Sequence, residues 1–280
     1  MPDLLGSIPS PSTGTLGIGP VQINAYGLMI ALGVVAATWL ASRRLARAGS
    51  GTSDDMQSIA VWAVIGGVIG ARLYHVVTDW SLFSNDLGRI PLIWKGGLGI
   101  PGGLIGGLVA GTYIVRRRGL DAAAVLTAVA PAIPLAQSIG RWGNWFNQEL
   151  FGRATSLPWA LEISDTNLPT GVVSATTFHP TFLYESLWTL ALCGALLLLD
   201  RHVRLRPGRL FAVYLAGYFS GRFWIEGLRI DPAHEFGGLR LNQWVSAAVV
   251  IASIVFLIVD RVRLGPMPED AQVEPAQEFA

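Results

Sequence analysis

The sequence predicts an all-α polytopic membrane protein with about seven transmembrane helices, the N-terminus outside and the C-terminus in the cytoplasm. Three observations carry that reading. Hydrophobic residues make up 51% of the chain and charged residues only 14%, far more apolar than a soluble domain of this size. Apolar stretches near the roughly 20 residues needed to cross a hydrocarbon core recur along the chain. Arginine clusters follow every second stretch: Arg43, Arg44 and Arg47, then Arg116 to Arg118, then Arg201, Arg204, Arg206 and Arg209, and finally Arg261 and Arg263. Basic loops stay in the cytoplasm, so this alternation fixes an odd number of spans.

The stretches fall at 22–42, 57–79, 97–115, 120–138, 180–200, 209–229 and 241–260. The residues before the first lack the basic region of a cleaved signal peptide, so this helix is expected to remain in the mature protein. The second and third carry small residues at helical spacing, Gly66 and Gly70, then Gly103, Gly107 and Gly111, which lets helix backbones approach in lipid. The sixth repeats the device with Gly217 and Gly221. Pro131 and Pro134 are expected to break the fourth, which is tolerable only where neighbours or a cavity satisfy the freed backbone groups. Two outer loops are long, 80–96 and about 140–179, and the second reads as a small extramembrane domain between spans four and five. Residues 1–264 therefore form one transmembrane domain, and the polar, acidic 265–280 a disordered cytoplasmic tail.

A net charge of +1 with no clustered cationic face excludes nucleic acid as a partner. The single cysteine, Cys193, lies in an apolar run and can form neither an intrachain disulfide nor a shared metal site. The four histidines are scattered and no carboxylate cluster offers metal ligands, so no metal or other cofactor is expected, and a metal-dependent phospholipid enzyme is disfavoured.

Charges inside apolar spans are costly and mark sites. They are Arg72, Arg141, Glu185, Arg222, Glu226 and Arg229. The spacing of the last three predicts one helical face, with Tyr218 a turn earlier. An internally neutralised ion pair would explain some of them, but arginines outnumber carboxylates. Arginine's planar fork suits a phosphate, and an anionic phospholipid would supply the missing charge. Residues 139–152 hold the densest polar cluster: Gly140, Arg141, Gly143, Asn144, Asn147, Gln148, Glu149 and Gly152 set among Trp142, Trp145 and Phe146. Such a composition predicts a bent or partly unwound backbone with amides free to meet a head group.

At this cluster, GRWGNWFNQELFGR, the sequence resembles the prolipoprotein diacylglyceryl transferase family. Further agreement runs through GPVQINAYGLM, GARLYH, WKGGLGIPGGLIGG, HPTFLYES and GRFWIEGLRID. The resemblance implies a multi-pass enzyme of the bacterial cytoplasmic membrane that needs no cofactor. Its partners would be the lipid bilayer, phosphatidylglycerol and the signal peptide of a preprolipoprotein, whose lipobox cysteine receives the diacylglyceryl group with release of glycerol 1-phosphate. Carried over residue by residue, it assigns catalytic roles to Arg141, Arg222, Tyr26, Asn144, Glu149 and Glu226. To the phospholipid it assigns Arg141, Arg222, Arg229 and Gly152, joined by Arg72 and by the paired Gly102 and Gly103. Many relatives have a histidine before those paired glycines; here the position is Pro101, which excludes a histidine base there and leaves Glu149, Glu226, Tyr26, His179 or the lipid phosphate as proton acceptor. A transporter using the same charges as a substrate pathway is the alternative from another class.

Overall fold

The computed structural model describes residues 6–18, 21–84, 86–93, 96–203 and 205–264. The expected tail, 265–280, lies outside the described residues. Each apolar stretch read from the sequence is helical over most of its length. The elements are a hairpin, β1 (Thr15–Ile18) and β2 (Val21–Asn24), then α1 (Ala25–Arg47), α2 (Ser53–Thr78), α3 (Ile100–Arg117), α4 (Ala122–Val129), α5 (Ala132–Gly140) and α6 (Trp142–Asn147). The short strands β3 (Leu161–Glu162) and β4 (Thr177–Phe178) precede α7 (Thr181–His202) and α8 (Arg209–Glu226), and a second hairpin, β5 (Glu235–Phe236) and β6 (Leu239–Arg240), leads into α9 (Leu241–Leu264).

Four of these helices, α1, α2, α7 and α9, are long and apolar enough to cross a membrane, and a fifth span results if α4 and the α5–α6 segment, bent by 41°, are taken together. The 18-residue α3 and α8 fall short, because α3 ends in Arg116 and Arg117 and α8 carries Arg209, Arg222 and Glu226. The chain is thus a mostly helical, multi-pass membrane protein with four to five candidate spans. Large apolar side chains such as Val35, Leu104, Leu108 and Ile258 face outward, as a lipid-embedded surface requires.

The chain divides into two compact units, one of residues 38–128 and the other of residues 1–37 with 129–280. In the first, α2 packs on α3 through glycine. A methyl group added to Gly70 would sit 2.3 Å from the carbonyl oxygen of Gly102, and one added to Gly106 2.2 Å from that of Gly66. The row in closest contact on α3 is therefore Gly102 and Gly106, one residue before the Gly103, Gly107 and Gly111 row that spacing suggested; Gly103 and Gly111 meet only ordinary van der Waals neighbours.

In the second unit, α7 packs on α5 and α8. Gly217 and Gly221 lie against Leu192 and Trp188 of α7, as their spacing predicted for a helix contact. Pro134 does not break its helix: it lies in the first turn of α5, where backbone N–H groups have no intrahelical partner to lose, and the bend falls at residues 130–131 instead. Segment 151–182 builds a core of its own from Phe151, Leu161, Ile163, Phe178 and Phe182. Its backbone is tied in by Gly152 and Arg153, whose N–H groups donate to His179 O and Leu228 O, both at 2.9 Å.

Candidate active site

Most of the residues singled out from the sequence meet in the second unit, where α1, α5, α6, α7 and α8 each contribute. Asn24 caps α1, its side-chain oxygen accepting from Gly27 N at 3.2 Å, and this start places Tyr26 in the first turn. The Tyr26 ring lies against Gly143 of α6: a methyl group there would be 2.5 Å from a ring carbon, so only glycine admits the tyrosine.

Arg141 is the hinge residue between α5 and α6. Its Nη1 donates to Asn144 Oδ1 at 3.4 Å, and Tyr218 and Tyr26 lie within electrostatic reach. Asn144 is buried, and its amide donates to Glu149 Oε1 at 2.9 Å, with Asn147 adding a second donor at 3.3 Å. The backbone is unwound here, as the composition suggested. Gln148 (φ 52°) and Leu150 (φ 59°) both adopt left-handed conformations on either side of Glu149. Each such non-glycine residue costs about 1 kcal/mol. Side-chain contacts offset this: Gln148 Nε2 donates to Pro11 O at 2.8 Å, Gln148 Oε1 accepts from Ser164 N at 2.8 Å, and the Thr181 hydroxyl donates to Leu150 O.

The arginines form a ladder alternating with carboxylates. Glu185 of α7 bridges two of them, accepting from Arg141 Nε through one oxygen and from Arg222 Nη1 at 3.1 Å through the other. Arg222 Nη2 reaches Glu226 Oε2 at 2.7 Å. Glu226, 1% exposed, also faces Arg229 at 3.8 Å and Arg240 at 3.3 Å. Asp231 closes the far end, accepting from Arg229 Nε at 2.7 Å and Arg240 Nη2 at 3.0 Å. Burial works against the Asp231 carboxylate's charge, but the hydrogen bonds and charges of Arg229 and Arg240 outweigh it and hold its pKa below the usual carboxylate range.

Four arginines therefore share three carboxylates, a surplus of one positive charge. Arg229 is not on the helical face expected from its spacing. The helix ends at Glu226, Gly227 begins a turn, and Arg229 pairs in an extended bridge with Gly152. A methyl group on Gly152 would come within 2.9 Å of His179 Cβ and 3.1 Å of Leu228 O, so the glycine is what allows the two segments to touch. His179 meets a neutral partner. Its Nδ1 meets the Tyr184 hydroxyl at 3.1 Å, and burial, then the charge of Arg153, lowers its pKa.

Three of the expected residues lie in the other unit. Arg72 is buried and its guanidinium is taken up by main-chain carbonyls: Ile90 and Arg89 at 2.7 Å, Gly96 at 2.8 Å and Gly97 at 3.0 Å. It fastens residues 89–90 and 96–97 to α2. Gly102 forms the close backbone crossing with Gly70, and Gly103 lies beside it near Ala71.

The sequence profile of the prolipoprotein diacylglyceryl transferase family matches residues 14–259. The chain belongs to this family. A relative from Streptomyces coelicolor, named phosphatidylglycerol--prolipoprotein diacylglyceryl transferase 1, is 48% identical over 99% of this chain and 80% of its own length. A phosphatidylglycerol--prolipoprotein diacylglyceryl transferase from Cutibacterium acnes is also 48% identical, over 92% of this chain and 88% of its own, and one from Frankia alni is 46% identical over 99% and 72%. The match spans every element of the site. Pro101 is the second residue of α3, a position where a fixed φ favours the helix and the missing N–H costs nothing.

Arg240 and Asp231 escaped the sequence reading. Arg240 sits one residue before an apolar helix, where an arginine reads as a flank, and Asp231 stands in a polar turn. Glu185 stood out as a membrane charge, but its place between Arg141 and Arg222 is visible only in three dimensions.

Proposed function

We propose that the protein transfers the diacylglyceryl group of phosphatidylglycerol to the thiol of a prolipoprotein cysteine, and that Arg141 and Arg222 hold the lipid phosphate during transfer. Family membership supports the reaction. The observation that carries the site is the Glu185 carboxylate shared by these two arginines: the pair is built to receive one anion between two forks. A phosphate offers the same oxygen geometry, and the ladder's surplus positive charge matches a monoanionic phosphodiester.

In this mechanism the lipobox cysteine loses its proton and its thiolate attacks the glyceryl carbon next to phosphate. The carbon–oxygen bond breaks, the electron pair leaves on the phosphate oxygen, and that oxygen takes up a proton to give glycerol 1-phosphate. Arg141 and Arg222 stabilise the charge gathering on the leaving group. We assign the thiol proton to Glu149. Its partners among the described residues are the neutral amides of Asn144 and Asn147, whereas Glu226 is surrounded by three guanidinium groups. Asn144 touches both Arg141 and Glu149 and so sets the distance between phosphate and base. Tyr26 and Gly152 shape the site, and Arg229 and Glu226 support Arg222.

The reaction is tested by incubating purified protein with labelled phosphatidylglycerol and a lipobox signal peptide. A thioether-linked product is expected, and none with the Cys→Ser peptide. Flux of a solute across sealed vesicles without covalent product would replace this reading by a transporter.

The membrane arrangement proposed is seven spans in the bacterial inner membrane, with 140–179 on the outer face. The arginines ending α1, α3, α7 and α9 then all lie in the cytoplasm. Green fluorescent protein fused to the C-terminus is expected to fluoresce and alkaline phosphatase there to be inactive; the reverse pattern would overturn the orientation.

A further inference from the structure

We propose that Arg240 is a positioning residue for the phosphate-binding site, holding Glu226 and thereby the fork of Arg222; this rests on the reading that Arg222 binds the lipid phosphate. The local fold delivers Arg240 to one place. Gly237 (φ 59°) and Gly238 (φ 77°) form a two-residue hairpin turn, in which positive φ at both central positions matches the twist of the strands. The turn fixes the pairing of Glu235 with Arg240.

The backbone is then tied at both sides of Arg240. Its own N–H donates to Gln243 Oε1 at 3.1 Å, Leu241 N donates to His234 O at 2.8 Å, and Gln243 Nε2 donates to Phe223 O of α8 at 3.2 Å. Trp244 Nε1 adds a bond to Phe236 O at 2.9 Å. The side chain therefore leaves a fixed point on the α8–α9 contact.

From there the guanidinium makes four contacts. Nε faces Glu226 Oε1 at 3.3 Å, Nη1 donates to Glu226 O at 3.2 Å, and Nη2 donates to Asp231 O at 2.7 Å and Asp231 Oδ2 at 3.0 Å. Arg240 thus caps a carbonyl at the end of α8 and grips the carboxylate of the same residue. Asn242 donates to Glu226 Oε1 at 3.2 Å from the same side. With one oxygen of Glu226 held in this way, the other is presented to Arg222 Nη2 at 2.7 Å. Only a fork satisfies both Glu226 and Asp231 at once.

The test uses the full-length protein in lipid nanodiscs, with KM for phosphatidylglycerol, KM for the lipobox peptide and kcat measured separately. Arg240→Ala leaves Glu226 paired with Arg222 and Arg229, so the chain is expected to fold. KM for the lipid should rise about tenfold, as a slight misplacement of a binding group allows, while KM for the peptide stays near its original value. Arg240→Lys should recover part of the loss. Asp231→Asn, which leaves the contacts to Glu226 in place, should shift lipid KM in the same direction by less, and it carries the test should Arg240→Ala aggregate. An unchanged lipid KM, with rates falling only in proportion to folded protein, would overturn the proposal. Absence of thioether product with the unaltered protein would instead remove the proposed function itself.

Discussion

Alanine at Arg141 or at Arg222 is expected to lower kcat/KM for diacylglyceryl transfer by about three orders of magnitude, with the protein still inserted and folded. The size follows from removing one of two donors that stabilise charge on a departing phosphate in a desolvated site, a loss of roughly 10² to 10⁴ in comparable sites. Folding survives because every carboxylate keeps another partner. Without Arg141, Glu185 retains Arg222 at 3.1 Å; without Arg222, Glu185 retains Arg141, and Glu226 retains Arg229 and Arg240. Lysine should restore little at Arg222, whose two Nη atoms reach separate carboxylates at 3.1 and 2.7 Å. The measurement is product formation at matched concentrations of monodisperse protein. Rates within tenfold of the unaltered enzyme would exclude these arginines from the phosphate site.

How much of this arrangement is legible in the sequence differs between elements. The helices are, because a lipid-facing surface demands long apolar stretches and the arginines mark their ends. The fourth stretch is read with its bend, and of the two prolines named Pro131 sits at it while Pro134 does not break the helix, since a proline's effect depends on its position and Pro134 falls in a first turn. Arg141, Arg222, Glu226, Asn144 and Glu149 are legible as charges or amides that lipid would not tolerate unpartnered. What pairs with what is not. Glu185 and Arg222 are 37 residues apart and Arg240 follows Glu226 by 14, so only packing brings them together. Arg72 shows the opposite case. As a membrane charge it reads as a site, yet four main-chain carbonyls satisfy it, and carbonyls are absent from any pattern of side chains. The glycines divide in the same way: spacing identifies the contact between α2 and α3, whereas the row that makes it is set by rotation about the helix axis.

The sign of the ladder's charge makes removal of a carboxylate a different event from removal of an arginine, and Glu226→Ala is expected to cost the fold itself. Four arginines share three carboxylates, so deleting one arginine brings the ladder to neutrality, while deleting Glu226 doubles the surplus to two positive charges. Glu226 is also the most enclosed member, 1% exposed, and the one that three guanidinium groups share. Breaking a buried pair from the side that leaves charge uncompensated costs about 3–5 kcal/mol, a large part of the roughly 5–15 kcal/mol that holds a domain folded. Glu226→Gln separates charge from shape. Its amide oxygen still accepts from Asn242, yet the surplus is the same, so the glutamine variant should lie much closer to alanine than to the unaltered protein. Thermal unfolding in detergent and the yield of monodisperse protein report the effect. A glutamine variant as stable as the unaltered protein would mean that packing, not charge, holds this part of the ladder. The contrast is what the geometry demands: arginines on the ladder can be lost with activity alone, but its central anion cannot be lost without the structure that positions them.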